Sequence, residues 1–181
     1  MKANTSIALA DDHRLFRSGM VALINGFAGC EIILEASDGT ELLTKIDKLS
    51  EPPTLAIIDI HMKPMDGFDT CKALSTNYGD LKILALSMYD DENSILKMIR
   101  SGAHGYVLKD AAPEELKRAI SDVQTRGYYY SDLVGKVVMD NMHGVTGPAQ
   151  ILEEQLSEQE LKFLKFASSE LTYKEIADQM H

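Results

Sequence analysis

Five short apolar segments alternate with longer amphipathic stretches over the first 125 residues, and this alternation restricts the fold more than any other feature. Each segment is too short for a helix, and its near-continuous apolar pattern is typical of a parallel strand buried on both faces. The segments are residues 6–10, 31–36, 55–59, 82–86 and 105–108. Strands joined by amphipathic helices form right-handed crossovers, which predicts a doubly wound, five-stranded parallel α/β domain over residues 1–125.

Two of the connecting helices have clear start signals. Asp38 and Glu41 are spaced as a capping box, in which the first side chain accepts from the fourth residue and the fourth reaches back. Pro113 stands where a first helical position is expected, and Glu114 and Glu115 follow it near the positive end of the helix dipole.

The pattern changes after Gly127. Residues 128–142 form one more amphipathic pattern, and residues 143–148 are typical of a linker, so residues 126–150 are predicted to be a helical segment and linker. Two further capping boxes begin at Ser157 and Thr172. They predict two short helices in a separate segment, residues 151–181.

Composition excludes several classes of protein. The 181 residues carry a net charge of −10, which argues against non-specific nucleic-acid binding. The two cysteines, Cys30 and Cys71, provide neither a disulfide framework nor a zinc ligand set. The sequence contains neither an apolar run of about 18 residues nor a signal-peptide pattern, so we expect a cytoplasmic protein that does not associate with membranes.

Polar side chains follow four of the five predicted strands. Asp11 and Asp12 follow the first strand, and the later strands end at or before Asp59, Ser87 and Lys109. Ligands of open parallel sheets bind at the carboxyl ends of the strands, so these groups are expected to converge. Clustered carboxylates suit a hard cation such as Mg²⁺, and a free carboxylate oxygen can attack phosphorus. A lysine and a hydroxyl can then hold the transferred oxygens.

Each of these residues also has a simpler interpretation. Paired aspartates after a strand are common turn or capping residues, and the same applies to Asp59. Ser87 alone is typical of a turn hydroxyl, and Lys109 alone of a solvated surface charge. The joint arrangement favours a phosphoryl-transfer site, because separate strand ends supply its different parts.

These residues resemble the receiver domains of bacterial two-component response regulators. The resemblance covers residues 5 to about 125 in order and spacing. It rests on Ala10-Asp11-Asp12-His13, on Ile57-Ile58-Asp59 followed by Met62, Pro64, Met65 and Gly67, on Ala85-Leu86-Ser87, and on Gly105-Tyr106-Val107-Leu108-Lys109. The implied fold is the flavodoxin-like receiver, and the implied function is a phosphorylation switch rather than an enzyme, one that catalyses only its own phosphorylation and dephosphorylation.

The resemblance also implies roles for individual residues. Asp59 accepts a phosphoryl group from a partner histidine kinase, and Ser87 and Lys109 contact that group. Mg²⁺ is bound directly by Asp12, by Asp11 through water and by the backbone carbonyl of His61. Asp59 also belongs to the implied metal site. Tyr106 stands at the switch-aromatic position, where its ring turns inward as the serine moves. A partly buried strand aromatic is an equally good interpretation of this side chain at rest.

Two positions in the loop after Asp59 bear on these expectations. Many family members have proline directly after the methionine, whereas here Lys63 intervenes before Pro64, which affects the path of the loop over the metal. His61 is placed beside the phosphoryl group, and we expect its bulk to slow attack by water.

The C-terminal segment resembles the first half of a LuxR-type (NarL/FixJ-like) helix-turn-helix domain. The matching stretches are Leu156-Ser157-Glu158-Gln159-Glu160-Leu161 and Leu171-Thr172-Tyr173-Lys174-Glu175-Ile176-Ala177. The second helix of such a motif enters the major groove. The sequence has none after residue 180, so we expect a truncated domain without DNA-binding residues. Regulation of transcription through DNA is then expected only of a full-length form. The family commonly forms homodimers on phosphorylation.

Two other functions fit part of the pattern. Some phosphatases form an aspartyl-phosphate on a similar sheet, but they place a second aspartate where His61 stands, and they carry a cap insertion. A non-catalytic module that only binds Mg²⁺ is the other alternative. Against it, Asp59, Ser87 and Lys109 are all present.

Overall fold

The structure is a computed structural model that describes residues 5–88 and 90–143, and it describes side chains as far as residue 138. The first compact unit of the chain ends at Val138. Of the predicted linker at 143–148, the structure describes only His143, which is helical. The rest of that linker and the predicted helix-turn-helix segment at 151–181 lie outside the described residues. The domain boundaries at 125 and 150 therefore stay predictions.

A single five-stranded sheet forms the centre of the described domain. Its strands are β1 (Thr5–Ala10), β2 (Cys30–Ala36), β3 (Leu55–Asp59), β4 (Lys82–Ser87) and β5 (Gly105–Leu108). The order is β2-β1-β3-β4-β5, and all four pairings are parallel. This confirms the predicted doubly wound α/β fold.

Six helices connect or follow these strands within the described residues. They are α1 (Arg14–Asn25), α2 (Gly39–Ile46), α3 (Gly67–Asn77), α4 (Glu92–Arg100), α5 (Pro113–Arg126) and α6 (Asp132–His143). None of them is long and apolar enough to cross a membrane.

The sheet separates two apolar cores, because alternate residues of a strand point to opposite faces. Ile7 and Leu9 of β1 belong to the core that includes side chains of α1 and α5. Ala8 and Ala10 belong to the core that includes side chains of α2, α3 and α4. The buried strands thus position their carboxyl ends on a rigid, apolar base.

The start of α2 agrees with the predicted capping box except for one contact. Asp38 accepts a hydrogen bond from the Glu41 amide at 3.0 Å, as expected. The Glu41 carboxylate, however, accepts from the amide and hydroxyl of Ser37, each at 2.6 Å, instead of the Asp38 amide. Together with Lys45, these bonds lower the pKa of Glu41 to about 2.

The last described helix begins later than predicted. The sequence pattern predicts a helix from residue 128, but α6 begins at Asp132. Tyr129 instead forms a parallel bridge with Gly105, and its amide donates to the carbonyl of His104 at 2.9 Å. The Ser131 carbonyl accepts the first helical bond from Gly135 at 2.8 Å. Pairing with the sheet therefore overrides the helical pattern of residues 128–131.

Candidate functional site

Three predicted site residues meet at the carboxyl edge of the sheet. Asp11 follows β1, Asp59 ends β3 and Lys109 follows β5. The Lys109 Nζ atom lies 2.8 Å from Asp11 Oδ2 and 2.9 Å from Asp59 Oδ2. All three side chains are at most 4% exposed. The strand ends therefore hold two carboxylates and one ammonium group in a buried cluster.

The two carboxylates depend on Lys109 for their charge balance. Neither Asp11 Oδ2 nor Asp59 Oδ2 has a hydrogen bond of good geometry among the described residues, although both oxygens lie in ion-pair contact with the lysine. Burial raises the pKa of Asp59, and the charge of Asp11 acts in the same direction. Lys109 and the backbone of His61 lower that pKa but do not outweigh burial. A buried carboxylate pair with one cation still favours additional positive charge.

Asp12 lies at the solvent side of this cluster. Its Oδ1 atom is 2.9 Å from Nδ1 of His13, which is also 3.4 Å from Asp11 Oδ1. Asp11, Asp12, His13 and Asp59 each offer a ligand atom, and these atoms lie within 4.8 Å of one another. The donor set of mainly carboxylate oxygens therefore fits a hard divalent cation. His13 was not a predicted ligand, and the only signal for it is its place directly after the aspartate pair.

His61 lies beside the same cluster, in the loop that follows β3. Its side chain is exposed, and together with Asp12 and Phe68 it lines a cleft of about 630 Å³. Hydrogen bonds with Ser94, and to a smaller extent the neighbouring His61, lower the pKa of Asp91, the residue that caps α4. The predicted ligand, its backbone carbonyl, belongs to this loop.

Ser87 and Tyr106 lie on neighbouring strands, both of them buried. A side-chain hydrogen bond joins them, and it lowers the pKa of Tyr106 less than burial raises it. The ring of Tyr106 belongs to the core that includes side chains of α4. The structure thus shows a buried strand aromatic that also contacts the predicted switch serine.

Gly67 sets the path of the loop after Asp59. Its amide donates to the carbonyl of Ile60 at 2.8 Å. A Cβ atom here would lie 2.3 Å from the Asp59 carbonyl oxygen and 2.7 Å from Ile60 Cα. Only glycine therefore fits without moving the backbone of Asp59. The Lys63–Pro64 peptide in the same loop is cis.

Helix α1 contributes two contacts that the sequence did not predict. The Phe16 ring centroid lies 4.9 Å from Nζ of Lys109. Arg17 donates to the carbonyl of Asp11 from its guanidinium group. These contacts hold the lysine and the end of β1 in place.

Comparison with known proteins agrees with this geometry. The family model described as "Response regulator receiver domain" matches residues 7–121. The chain belongs to this family. The response regulator fold accounts for the parallel sheet and for the position of the carboxylate cluster at its edge.

Similar proteins extend the match beyond the receiver domain. The chain is 31% identical over 180 residues to a nitrate/nitrite response regulator protein homolog of Haemophilus influenzae, covering 99% of this chain and 83% of that protein. It is 30% identical to the DNA-binding transcriptional activator DevR/DosR of Mycobacterium tuberculosis, covering 96% and 79%.

A solved structure shows the same fold. A LuxR-family two-component response regulator from Aurantimonas superposes with a TM-score of 0.70 at 25% identity, covering 78% of this chain and all of that one. The protein is thus a response regulator of the LuxR/NarL type, a signalling protein of two-component systems rather than a classical enzyme.

Proposed function

We propose that Asp59 is the residue at which this response regulator accepts a phosphoryl group from a histidine kinase. The observation that carries the proposal is the position of Lys109 Nζ, 2.9 Å from Asp59 Oδ2 and 2.8 Å from Asp11 Oδ2. One buried ammonium group thus contacts both carboxylates. It is placed to contact a phosphoryl oxygen as well.

In the proposed transfer, a carboxylate oxygen of Asp59 forms a bond to phosphorus as the bond between phosphorus and the donor's imidazole nitrogen breaks. The nitrogen keeps the bonding electron pair and leaves as neutral imidazole after protonation. Asp59 becomes an acyl phosphate. Lys109 stabilises the negative charge on the transferred oxygens, which is the main contribution a protein makes to phosphoryl transfer.

Ser87 and Tyr106 are proposed to register the modification. The Ser87 hydroxyl contacts the phosphoryl group when the switch closes, and Tyr106 follows it because the two side chains are already hydrogen-bonded. Tyr106 is buried in the core that includes side chains of α4. A shift of the serine therefore reaches the α4 side of the domain.

The acidic cluster is proposed to bind Mg²⁺. Asp12 and Asp59 would hold the ion directly, Asp11 through water, and the backbone carbonyl of His61 would complete the set. The ion supplies positive charge to the transferred oxygens when it is bound. Within the cluster, Asp12 is the exposed carboxylate, since Asp11 and Asp59 are buried, so it is the one through which solvent and ion enter.

The domain is further proposed to catalyse its own phosphorylation from small donors and its own dephosphorylation. His61 would slow the second reaction by restricting water at the phosphoryl group, since its exposed side chain lies at the mouth of the site. A His61→Ala variant that loses phosphate no faster than the wild type would contradict this role.

The partners follow from the same proposal. A histidine kinase supplies the phosphoryl group in the cytoplasm, and phosphorylation favours a homodimer. DNA is proposed as a further partner, by analogy with the DNA-binding activator to which the chain is similar.

The test is incubation with a small-molecule phosphodonor and Mg²⁺, followed by intact mass measurement. The wild type should gain one phosphoryl group, and Asp59→Asn should gain none. Asp110→Asn is the matched control, because Asp110 is an exposed carboxylate at the same sheet edge. Equal labelling of Asp59→Asn would refute the assignment. Multiple-turnover hydrolysis of phosphate esters would instead indicate a phosphatase.

A further inference from the structure

The sheet has two edge strands, β2 and β5. An edge strand presents unpaired backbone groups, which can pair with the edge of another molecule. Proteins prevent such pairing with charged side chains on the edge, or by covering it with another part of the chain. The two edges of this sheet use different solutions.

The β2 edge is protected by polar side chains. Asn25 of α1 accepts a hydrogen bond from the Ile32 amide at 2.8 Å. Lys45 of α2 donates to the Glu35 carbonyl at 2.6 Å. The strand also carries two exposed glutamates, Glu31 and Glu35. These charged side chains and side-chain hydrogen bonds therefore protect the β2 edge from pairing without a covering segment.

The β5 edge has no comparable protection of its own. Its four residues are Gly-Tyr-Val-Leu, none of them charged. Residues 129–138, which we call the edge cover, lie against it. Tyr129 forms a parallel bridge with Gly105 and donates its amide to the His104 carbonyl at 2.9 Å. The cover thus begins as an additional pairing on the sheet edge.

Side chains of the edge cover are anchored on both sides of the sheet. The Tyr129 hydroxyl donates to Glu115 Oε1 of α5 at 3.2 Å, and its ring belongs to the core that includes α1 and α5. Val134 and Val137 are buried in the opposite core, which contains Tyr106. The segment is therefore anchored in both cores beside the β5 edge, and a cleft of about 610 Å³ lies between it and Tyr106 and Leu108 of β5.

We infer that the edge cover is an intramolecular guard that prevents β5 from pairing with β5 of a second copy of this chain. A second copy is the expected occupant, because two identical uncharged edges related by a two-fold axis complement each other. This inference does not depend on phosphorylation of Asp59.

The test compares two substitutions on neighbouring positions of α6 in the full 181-residue chain. Val134 is 1% exposed, whereas Leu133 is 39% exposed. Val134→Ser should release the cover, and Leu133→Ser should not. We expect Val134→Ser to strengthen self-association by about tenfold or more in sedimentation velocity, and to speed exchange of the Tyr129 amide by a similar factor.

A third variant identifies the surface. Adding Leu108→Lys to Val134→Ser places a charge on the β5 edge and should restore the monomer. Continued association of the double variant would show that another surface is responsible and would overturn the inference. A folded Val134→Ser variant that associates no more than Leu133→Ser would also overturn it. If Val134→Ser lacks the wild-type circular dichroism spectrum, Val134→Ala and Leu133→Ala replace the pair.

Discussion

Lys109 follows β5 and Asp59 ends β3, two strands separated by β4, and their charged atoms are 2.9 Å apart with both side chains 4% exposed. The same ammonium group is 2.8 Å from Asp11. This contact links the stability of the domain to the chemistry proposed for it, because one cation balances two buried carboxylates.

Replacing Lys109 with methionine should therefore destabilise the folded domain and slow phosphorylation. Removing one partner of a buried ion pair costs about 3–5 kcal/mol, because the remaining charges are left uncompensated. We expect the free energy of unfolding in urea to fall by this amount at neutral pH and to recover partly when Mg²⁺ is added. Exposed Lys48 gives the control Lys48→Met, which should behave as the wild type. Equal stability of the two variants would contradict the proposed charge balance.

The approach of Gly67 to Asp59 predicts a difference between two glycines. Gly67→Ala places a Cβ atom 2.3 Å from the Asp59 carbonyl oxygen. Forcing atoms into such a site costs about 1–3 kcal/mol or more, and it should displace the acceptor aspartate. Gly79→Ala is the matched control, since no atom lies within 4 Å of its added Cβ. Urea unfolding and phosphodonor labelling should both distinguish the variants, and identical results would disprove the steric argument.

His104 predicts a dependence of stability on pH. Burial, and secondarily Lys82, lowers the pKa of His104 below its usual 6.5, and its Nδ1 accepts from the Ile83 amide at 3.2 Å. The unfolded chain therefore binds a proton near pH 6.5 that the folded chain does not. Stability is complete above this pH and falls as the pH decreases towards the folded pKa, by at most about 1.4 kcal/mol per pH unit.

His104→Gln should remove this contribution while keeping an acceptor for the Ile83 amide. The difference in free energy of unfolding between the wild type and this variant should be constant above pH 6.5 and should change below it. All other histidines are common to both proteins and cancel. Parallel pH profiles down to pH 5 would show that His104 does not contribute.

Because the Tyr129 hydroxyl donates a hydrogen bond to Glu115, removing this hydroxyl should lower the stability of the domain modestly. Tyr129→Phe deletes the 3.2 Å bond and should reduce the free energy of unfolding by about 0.5–1.5 kcal/mol. Tyr128→Phe is the control, because Tyr128 is more than half exposed. Thermal unfolding should rank the two variants accordingly. If Tyr128→Phe proves at least as destabilising, the bond does not stabilise the segment.

The sequence predicted the elements that depend on local pattern. The apolar segments predicted the strands. Because ligands of open parallel sheets bind at the carboxyl ends of the strands, the sequence also predicted that Asp11, Asp59, Ser87 and Lys109 lie close together. The start of α6 was wrong, because the pairing of Tyr129 with Gly105 joins residues far apart in the chain. The structure brings Asp11, Asp59 and Lys109 together. The roles of all the predicted site residues stay predictions: Asp11, Asp12, Asp59, the His61 carbonyl, Ser87, Tyr106 and Lys109.

The sequence by itself determined the parallel α/β fold and the residue types at its carboxyl edge, because burial period and residue type are local properties. Only the tertiary structure decided that one ammonium group contacts two buried carboxylates, that Gly67 has no space for a side chain, and that residues 129–138 cover β5. These three results depend on distances between separate elements. Such distances are set by how the helices and strands pack, and no local pattern encodes them.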